Sequence, residues 1–240
     1  MKKVSSVLFD FWDTVIPDER KLPYGEFQIL YDNLREKDKV PFERFCNELG
    51  TYFSRYYEDS NYEITFKAQL NFLSDYYGYH FLITPEEFEK KTPEIYSGRT
   101  VPGLKEFVLY LQSRNIPFRI LSNVSYTADC ENLLIDAAWK ENPFPPVIAS
   151  SDYGVEKPDS RFFLLGCKLS GFQPEETLYI GDDYKRDVIG SKKAGLLPCL
   201  LNWKNQHFTE DDEKDYQDYL LVSSYNELIS RMKENDHDGK

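Results

Sequence analysis

Short apolar runs alternate with amphipathic stretches along most of the chain. Val4 to Phe9, Phe118 to Leu121, Val147 to Ala149, Leu178 to Ile180 and Pro198 to Leu201 are each brief and mostly apolar, with Gly, Pro, Asn, Asp or Ser at their borders. Such runs suit strands buried on both faces of a parallel sheet. Between them, Leu104, Phe107, Val108 and Leu111 recur at helical spacing after Pro102-Gly103. Phe162, Phe163 and Leu165 follow Lys157-Pro158, and Val188 to Ala194 runs into Gly195, a C-cap signal. A last amphipathic helix is expected over Ser224 to Met232, ahead of a polar tail from Glu234 to Lys240. Strand and helix in alternation imply right-handed crossovers, hence an α/β fold with a Rossmann-like doubly wound parallel sheet in three α/β/α layers.

Residues 18–98 break the alternation and read as helices only. One is expected from Pro23 to Arg35, one from Phe42 to Tyr57 with Phe45, Leu49, Tyr52 and Phe53 on one face, and one from Thr65 to Tyr77. A fourth begins at Thr84, with Pro85 at the first helical position and Glu87 completing a capping box. An all-helical block inserted after the first strand is expected to be a second domain, a cap over residues 18–98 on a core built from 1–17 and 99–240. Its many aromatic residues are read as helix-packing core.

Composition narrows the setting. The chain has 240 residues, 29 Lys and Arg against 41 Asp and Glu, a net charge of -12 and 41% hydrophobic residues. The apolar share excludes a disordered or collagen-like protein. The acidic surplus and the absence of basic clusters argue against a nucleic-acid partner. No window approaches the roughly 18 uninterrupted apolar residues of a membrane span. The apolar stretch after Met1-Lys2-Lys3 meets Asp10 too early for a signal peptide. A cytoplasmic protein with no membrane partner is expected, and the pattern specifies no oligomeric state. Cys46, Cys130, Cys167 and Cys199 lie far apart without paired spacing, so buried free thiols are expected in place of a zinc site or disulfides.

Ligands of a doubly wound sheet bind at the C-terminal strand ends, near the reversal of strand order. There the chain places Asp10-Phe11-Trp12-Asp13-Thr14, then Ser122-Asn123, then Ser150-Ser151-Asp152 followed by Lys157-Pro158, then Gly181-Asp182-Asp183 and Asp187. This set suits phosphoryl transfer. A carboxylate can attack phosphorus, packed carboxylates call for a shared divalent cation such as Mg²⁺, and a hydroxyl and an ammonium neutralise the remaining phosphoryl oxygens. Taken singly, each residue has a plainer reading: Asp10 and Thr14 as turn residues, Ser122 and Lys157 as surface polar groups, Asp187 as a helix cap.

The four segments in this order resemble the haloacid dehalogenase superfamily. They stand as L-F-D-F-W-D-T-V at 8–15, R-I-L-S-N at 119–123, E-K-P-D at 156–159 and Y-I-G-D-D-Y-K-R-D at 179–187, with V-P-G-L-K-E-F at 101–107 and D-V-I-G-S-K-K-A-G at 187–195 also similar. The helical insertion implies a cap of the subclass I (C1) type. By the resemblance, Asp10 is the nucleophile and a metal ligand, and the Trp12 carbonyl is a second ligand. Thr14 orients Asp10, Ser122 bonds a phosphoryl oxygen, and Lys157 holds the charge of nucleophile and phosphate. Asp182 binds the Mg²⁺, with Asp183 or Asp187 reaching it directly or through water, and Asn123 and Asp183 face the substrate. The implied activity is hydrolysis of a small phosphorylated metabolite through an aspartyl-phosphate.

One departure stands out. Phosphatases of this superfamily carry a second Asp, the general acid, two residues after the nucleophile, where this chain has Trp12. An indole N–H has no accessible acid pKa. Asp13, one position later, is the nearest carboxylate. Trp12 keeps open a metal-independent 2-haloacid dehalogenase, a phosphonate-cleaving enzyme with a cap lysine such as Lys21 or Lys67, and a low-turnover phosphate-binding or regulatory protein. The acidic Gly181-Asp182-Asp183 favours the metal-dependent phosphatase. His80, His207, Trp203 and Lys204 are left without a role.

Overall fold

Val7 and Phe9 of strand β1 (Ser6–Phe9) point to one hydrophobic cluster and Leu8 to another, which is the period-two signature of a strand buried on both faces. The same division holds for Leu178 and Ile180 against Tyr179 in β4 (Thr177–Gly181), and for Ile120 against Leu121 in β2 (Phe118–Ser122). The computed structural model describes residues 3–21, 25–57, 62–205 and 219–238. Within them, β3 (Ile148–Ala149), β5 (Leu197–Leu201) and β6 (Leu220–Val222) complete a six-stranded sheet in the order β3-β2-β1-β4-β5-β6, and every pairing is parallel. The order reverses at β1, so the crevice between β1 and β4 is where such a sheet offers a site.

Three helices cover one face: α6 (Leu104–Ser113) with Leu104, Phe107 and Leu111, α7 (Ala128–Ala138) with Leu134 and Ile135, and α10 (Tyr225–Asp238) with Tyr225, Leu228 and Met232. The opposite face packs against α8 (Ser160–Ser170), through Phe162 and Phe163, and against the segment ending in the short α9 (Gly190–Lys193). The three-layer Rossmann-like α/β architecture is thus present. Asp159 caps α8 by accepting from Arg161 N–H, and Gly171 ends it in the left-handed region.

Among the described residues, the elements between β1 and α6 are all helices, α1 (Gly25–Asp32), α2 (Phe42–Tyr57), α3 (Phe66–Tyr77), α4 (Pro85–Glu89) and α5 (Thr92–Ile95), alongside isolated bridges such as Arg20 to Tyr96 and Leu34 to Phe81. Their buried residues, Leu30, Leu34, Phe45, Leu49, Leu73 and Phe88 among them, form a hydrophobic cluster of their own. Thr84 makes the full capping box with Glu87. The chain enters and leaves this helical segment side by side, with Lys21 N–H donating to Ile95 O at 2.7 Å and Ser97 N–H to Glu19 O at 3.0 Å. Phe66 N–H donates to Ser125 O at 2.8 Å, tying the segment to the loop after β2.

Several expectations need correction. Helix α7 and strand β6 were not expected, α1 is shorter than Pro23 to Arg35, and the stretch 184–189 forms a π-helical turn ahead of α9. Cys130, Cys167 and Cys199 are buried free thiols, but Cys46 is only half-buried. The backbone of Tyr52 and Phe53 is helical as expected, whereas their side-chain contacts are outside what is described, and His207 lies outside the described residues. Among those described, no helix is long and apolar enough to cross a membrane.

Gly190 opens α9 where there is no room for a side chain. A Cβ there would lie 2.6 Å from the buried Phe163 ring and 3.0 Å from the Pro158 Cα. Gly190→Ala is expected to cost about 1–3 kcal/mol through overpacking. Urea unfolding checks this as a lowered midpoint at unchanged slope; an unchanged midpoint would mean that the ring yields freely.

Candidate active site

Asp10 extends β1 by one residue, its N–H donating to Ile180 O of β4 at 2.8 Å. The chain then turns sharply. Phe11 O accepts from Val15 N–H at 2.8 Å and Ile16 N–H at 3.1 Å, and Asp13 takes a left-handed conformation with φ 54°. Two distant side chains hold the turn: Tyr225 hydroxyl donates to Thr14 O at 2.8 Å and Trp203 Nε1 to Asp13 O at 2.6 Å. Thr14 is buried beneath, its hydroxyl donating to Asp10 Oδ2 at 3.3 Å.

Lys157 reaches the same carboxylate from the other side of the crevice. Asn123, just past β2, grips the Lys157 backbone twice: its Nδ2 donates to Lys157 O at 2.9 Å and its Oδ1 accepts from Lys157 N–H at 2.7 Å. The ammonium is 3% exposed and lies 2.5 Å from Asp10 Oδ1, 2.8 Å from Asp187 Oδ1 and 2.9 Å from the Tyr179 hydroxyl. Burial alone pushes an ammonium towards neutrality, but Asp10 and Asp187 outweigh it and hold Lys157 charged, well above its usual value. Burial likewise pushes the Asp10 carboxyl up to about 6 against the pull of Lys157.

Strand β4 delivers the remaining acids. Asp183 caps the π-helical turn by accepting from Arg186 N–H at 2.7 Å, and Asp187 folds back inside it to accept from Asp183 N–H at 3.0 Å. The capping considered for Asp187 is therefore done by Asp183, which also pairs with Arg186. Gly181 makes the fold-back possible, since a Cβ there would meet the Asp187 carboxyl at 2.3 Å. Oxygens of Asp10, Asp182 and Asp187 lie within 4.8 Å of one another. Lys157 neutralises the first and third. Asp182 has no hydrogen-bond partner among the described residues, and burial, then the Asp10 and Asp187 charges, push its carboxyl up to about 8. An all-carboxylate oxygen set with surplus negative charge fits a hard divalent cation such as Mg²⁺.

The remaining expected residues are placed as follows. Trp12 stands beside Tyr96 with ring centroids 4.6 Å apart, and it lines a cleft of about 620 Å³ together with Arg20, Tyr96, Lys157 and Arg186. Asp10, Asp182 and Asp187 line an adjoining pocket of about 270 Å³. Asn123 and Asp183 border both spaces, although the Asn123 amide is spent on Lys157. Ser122 is fully buried, its hydroxyl hydrogen-bonded over 2.6 Å to Glu131 of α7. Asp13 is held by Lys204 Nζ at 2.6 Å and by Asp18 N–H at 2.9 Å, which occupies its Oδ1 at the edge of the site. His80 pairs with Glu36 on the surface.

Sequence reading missed Tyr179, Glu131, Arg20 and Arg186. Tyr179 reads as one more apolar strand residue, and only the fold shows its hydroxyl entering the Lys157 cluster. Glu131 sits in a helix whose start carries no clear signal. Arg186 lies within a quoted motif and could have been marked as a cation next to the acidic pair.

The profile of the haloacid dehalogenase-like hydrolases matches residues 4–195. A glyceraldehyde 3-phosphate phosphatase of Methanocaldococcus jannaschii is 36% identical over 90 residues, which is 38% of this chain and 38% of that protein's length. Among solved structures, a 2-haloacid dehalogenase of Pseudomonas syringae superposes with a TM-score of 0.65 at 18% identity, over 96% of this chain and 99% of that one. A phosphatase of the same superfamily from Thermococcus onnurineus superposes with a TM-score of 0.63 at 18% identity, over 95% and 98% of the two chains. Both superpositions are likenesses of fold.

Removing the central cation should be costly. Lys157→Met is expected to lower the unfolding free energy by about 3–5 kcal/mol at pH 8, because it leaves buried carboxylates uncompensated. The loss should shrink towards pH 5, where the Asp10 carboxyl, raised even beside Lys157, binds a proton. Guanidinium unfolding at both pH values checks this; equal losses would assign the effect to packing.

Proposed function

The chain belongs to the haloacid dehalogenase-like hydrolase family, and on that premise we propose that it is a Mg²⁺-dependent hydrolase of small phosphomonoesters that works through an aspartyl-phosphate on Asp10. The observation that carries this reading is a buried carboxylate braced by Lys157 and Thr14, next to an Asp182 that lacks a cationic partner. A halide-releasing enzyme has no use for that unneutralised acid. The phosphatase named among the relatives supports the same chemistry.

In the proposed reaction an Asp10 oxygen attacks phosphorus, the ester P–O bond breaks, and the leaving oxygen takes a proton. Water then attacks phosphorus, the acyl-phosphate P–O bond breaks, and Asp10 is regenerated with release of inorganic phosphate. Burial keeps Asp10 protonated only below about pH 6, so it is the reactive carboxylate at neutral pH. Thr14 and Lys157 fix its orientation, and Lys157 offsets the charge that gathers on the phosphoryl oxygens. Asp10, Asp182, Asp187 and the Trp12 carbonyl would hold the Mg²⁺, which supplies charge neutralisation at the phosphoryl group. Residues 18–98 act as a cap of the C1 type that selects the leaving group, with Arg20, Tyr96 and Trp12 at its contact with the core. The setting is cytoplasmic and the substrate a small phosphorylated metabolite.

Proton supply sets the rate. Trp12 cannot provide it, and Asp13 is engaged by Lys204 and Asp18. Aryl phosphates, whose leaving oxygen needs no proton, should therefore be turned over faster than alkyl phosphates. Trp12→Asp is expected to raise alkyl phosphate turnover on the order of 10²-fold while changing aryl phosphate turnover little. No gain would show that another group already delivers the proton.

The decisive test is phosphate release from a panel of phosphorylated metabolites and an aryl phosphate, with Mg²⁺ and with chelator. Release that needs Mg²⁺ and disappears in Asp10→Asn is the expected result. Release undiminished in Asp10→Asn would sink the mechanism, and halide release in chelator would replace it with the dehalogenase reading.

A further inference from the structure

Among the described residues, Glu131 is the one acid that is wholly buried, touches a residue of the expected site and has no part in the proposed reaction. It lies in the first turns of α7, is 0% exposed, and places Oε1 2.6 Å from Ser122 Oγ. Its other oxygen, Oε2, is buried without a hydrogen-bond partner. We propose that Glu131 is a positioning residue that makes Ser122 a hydrogen-bond donor: neutral Glu131 gives its proton to Ser122 Oγ, which frees the Ser122 hydroxyl proton for a phosphoryl oxygen. The inference rests on the phosphoester reading, since that reading puts the phosphoryl group beside Ser122.

Proton counting supports it. A serine hydroxyl has one proton and two acceptor lone pairs. An ionised Glu131 would draw that single proton to Oε1 and leave nothing to donate to a substrate. A neutral Glu131 has its proton on one of two oxygens, and on Oε2 it would meet no acceptor. The proton therefore belongs on Oε1, 2.6 Å from Ser122 Oγ, and in the neutral pair the serine oxygen is its acceptor rather than the donor it would be to an ionised Glu131. A bare carbonyl oxygen at Oε2 is then the only orphan, a smaller cost than a buried unpaired donor.

The surroundings keep Glu131 neutral at physiological pH. Burial raises its carboxyl most; of the facing groups, Asp10 after β1 and Glu63 before α3 raise it further, while Lys157 and the Ser122 hydrogen bond lower it, for a balance of about 8. Cys130, its neighbour on α7, is a buried thiol with its own bond to Thr92. Near neutral pH the Ser122 proton is accordingly available. As the pH rises through about 8, Glu131 ionises, takes the Ser122 proton, and adds a negative charge next to the anion.

Two readouts test this, one of them independent of turnover. Inorganic phosphate binding, measured by calorimetry with Mg²⁺ present, should weaken about tenfold between pH 7 and pH 9 in the wild type. KM for the aryl phosphate should rise by the same factor with kcat changed less. Glu131→Gln cannot ionise and its amide can still donate to Ser122 Oγ, so both curves should be flat over that range. Ser122→Ala serves as the second variant: it should bind phosphate more weakly at pH 7 and lose less than the wild type between pH 7 and pH 9, since only the Glu131 charge is left to act, even if Glu131→Gln folds poorly. A wild-type curve that stays flat, an alkaline loss that persists in Glu131→Gln, or a loss in Ser122→Ala as large as that of the wild type overturns the inference. Phosphate binding with the expected Glu131 dependence but no hydrolysis would retain the inference and reject the hydrolase mechanism. Hydrolysis lost in Asp10→Asn but with no Glu131 dependence would do the reverse.

Discussion

A single buried ammonium organises the site. Lys157 has two carboxylates and a phenol within 2.9 Å, and these come from the end of β1, the middle of β4 and the turn after β4. Removing charges from water carries a large desolvation penalty, which the mutual attraction offsets only with good geometry and full hydrogen bonding. The rest of the structure provides that geometry. Asn123 fixes the Lys157 backbone, Gly181 lets Asp187 fold against the strand, and Tyr179 adds a neutral acceptor where another charge would be too many. Gly190 in turn lets α9 approach Phe163 and Pro158 closely enough to carry the turn that bears Asp187. Such an arrangement is weak evidence for stability and stronger evidence for a preorganised electrostatic task.

The charge balance of the crevice points the same way. One ammonium stands against three clustered carboxylates, Asp10, Asp182 and Asp187. Burial first, and then the charges of Asp10 and Asp187, raise the Asp182 carboxyl. A divalent ion would remove the surplus, and the phosphoryl group that the proposed function brings would add negative charge back. Of the cations that line the cleft, Arg20 and Arg186 are paired with Glu26 and Asp183, whereas Lys185 has no ion pair among the described residues. Attraction for an anion would therefore come from Lys157, deep in the crevice, from any cation that the acids hold there, and from Lys185 at the cleft.

Much of this was legible because parallel strands buried on both faces leave unmistakable apolar runs, and because their ends are where functional side chains must sit. Asp10, Asn123, Lys157, Asp182 and Asp187 could be located from local pattern and order alone. What escaped depends on distant contacts. Helix α7 starts Ala-Asp-Cys-Glu-Asn, and its apolar pair Leu134 and Ile135 means little until the sheet is there to receive it. Strand β6 is three residues long and gains its identity by pairing with β5. The direction of the Asp13 side chain is set by a positive φ and by Lys204, 191 positions away, so its adjacency to Asp10 in sequence was misleading.

The loop after β1 shows how those distant contacts shape chemistry. Phe11 is fully buried, Trp12 packs on Tyr96 at the cleft, and Asp13 turns away to meet Lys204 and the Asp18 backbone. Asp10 joins the acid cluster and Thr14 braces it from beneath, while Trp12 and Asp13 line the edge of the same pocket. The loop thus presents one carboxylate and one aromatic wall, with no proton donor between them. If Trp12 were a chance loss from an acid-bearing loop, its ring would be free of neighbours. Instead the Trp12–Tyr96 contact bridges β1 to the chain leaving the helical segment, close to where Arg20 pairs with Glu26. The indole packs against the same core cluster that holds Tyr96. Its position gives the aromatic side chain a packing contact with Tyr96 that a carboxylate at position 12 could not make.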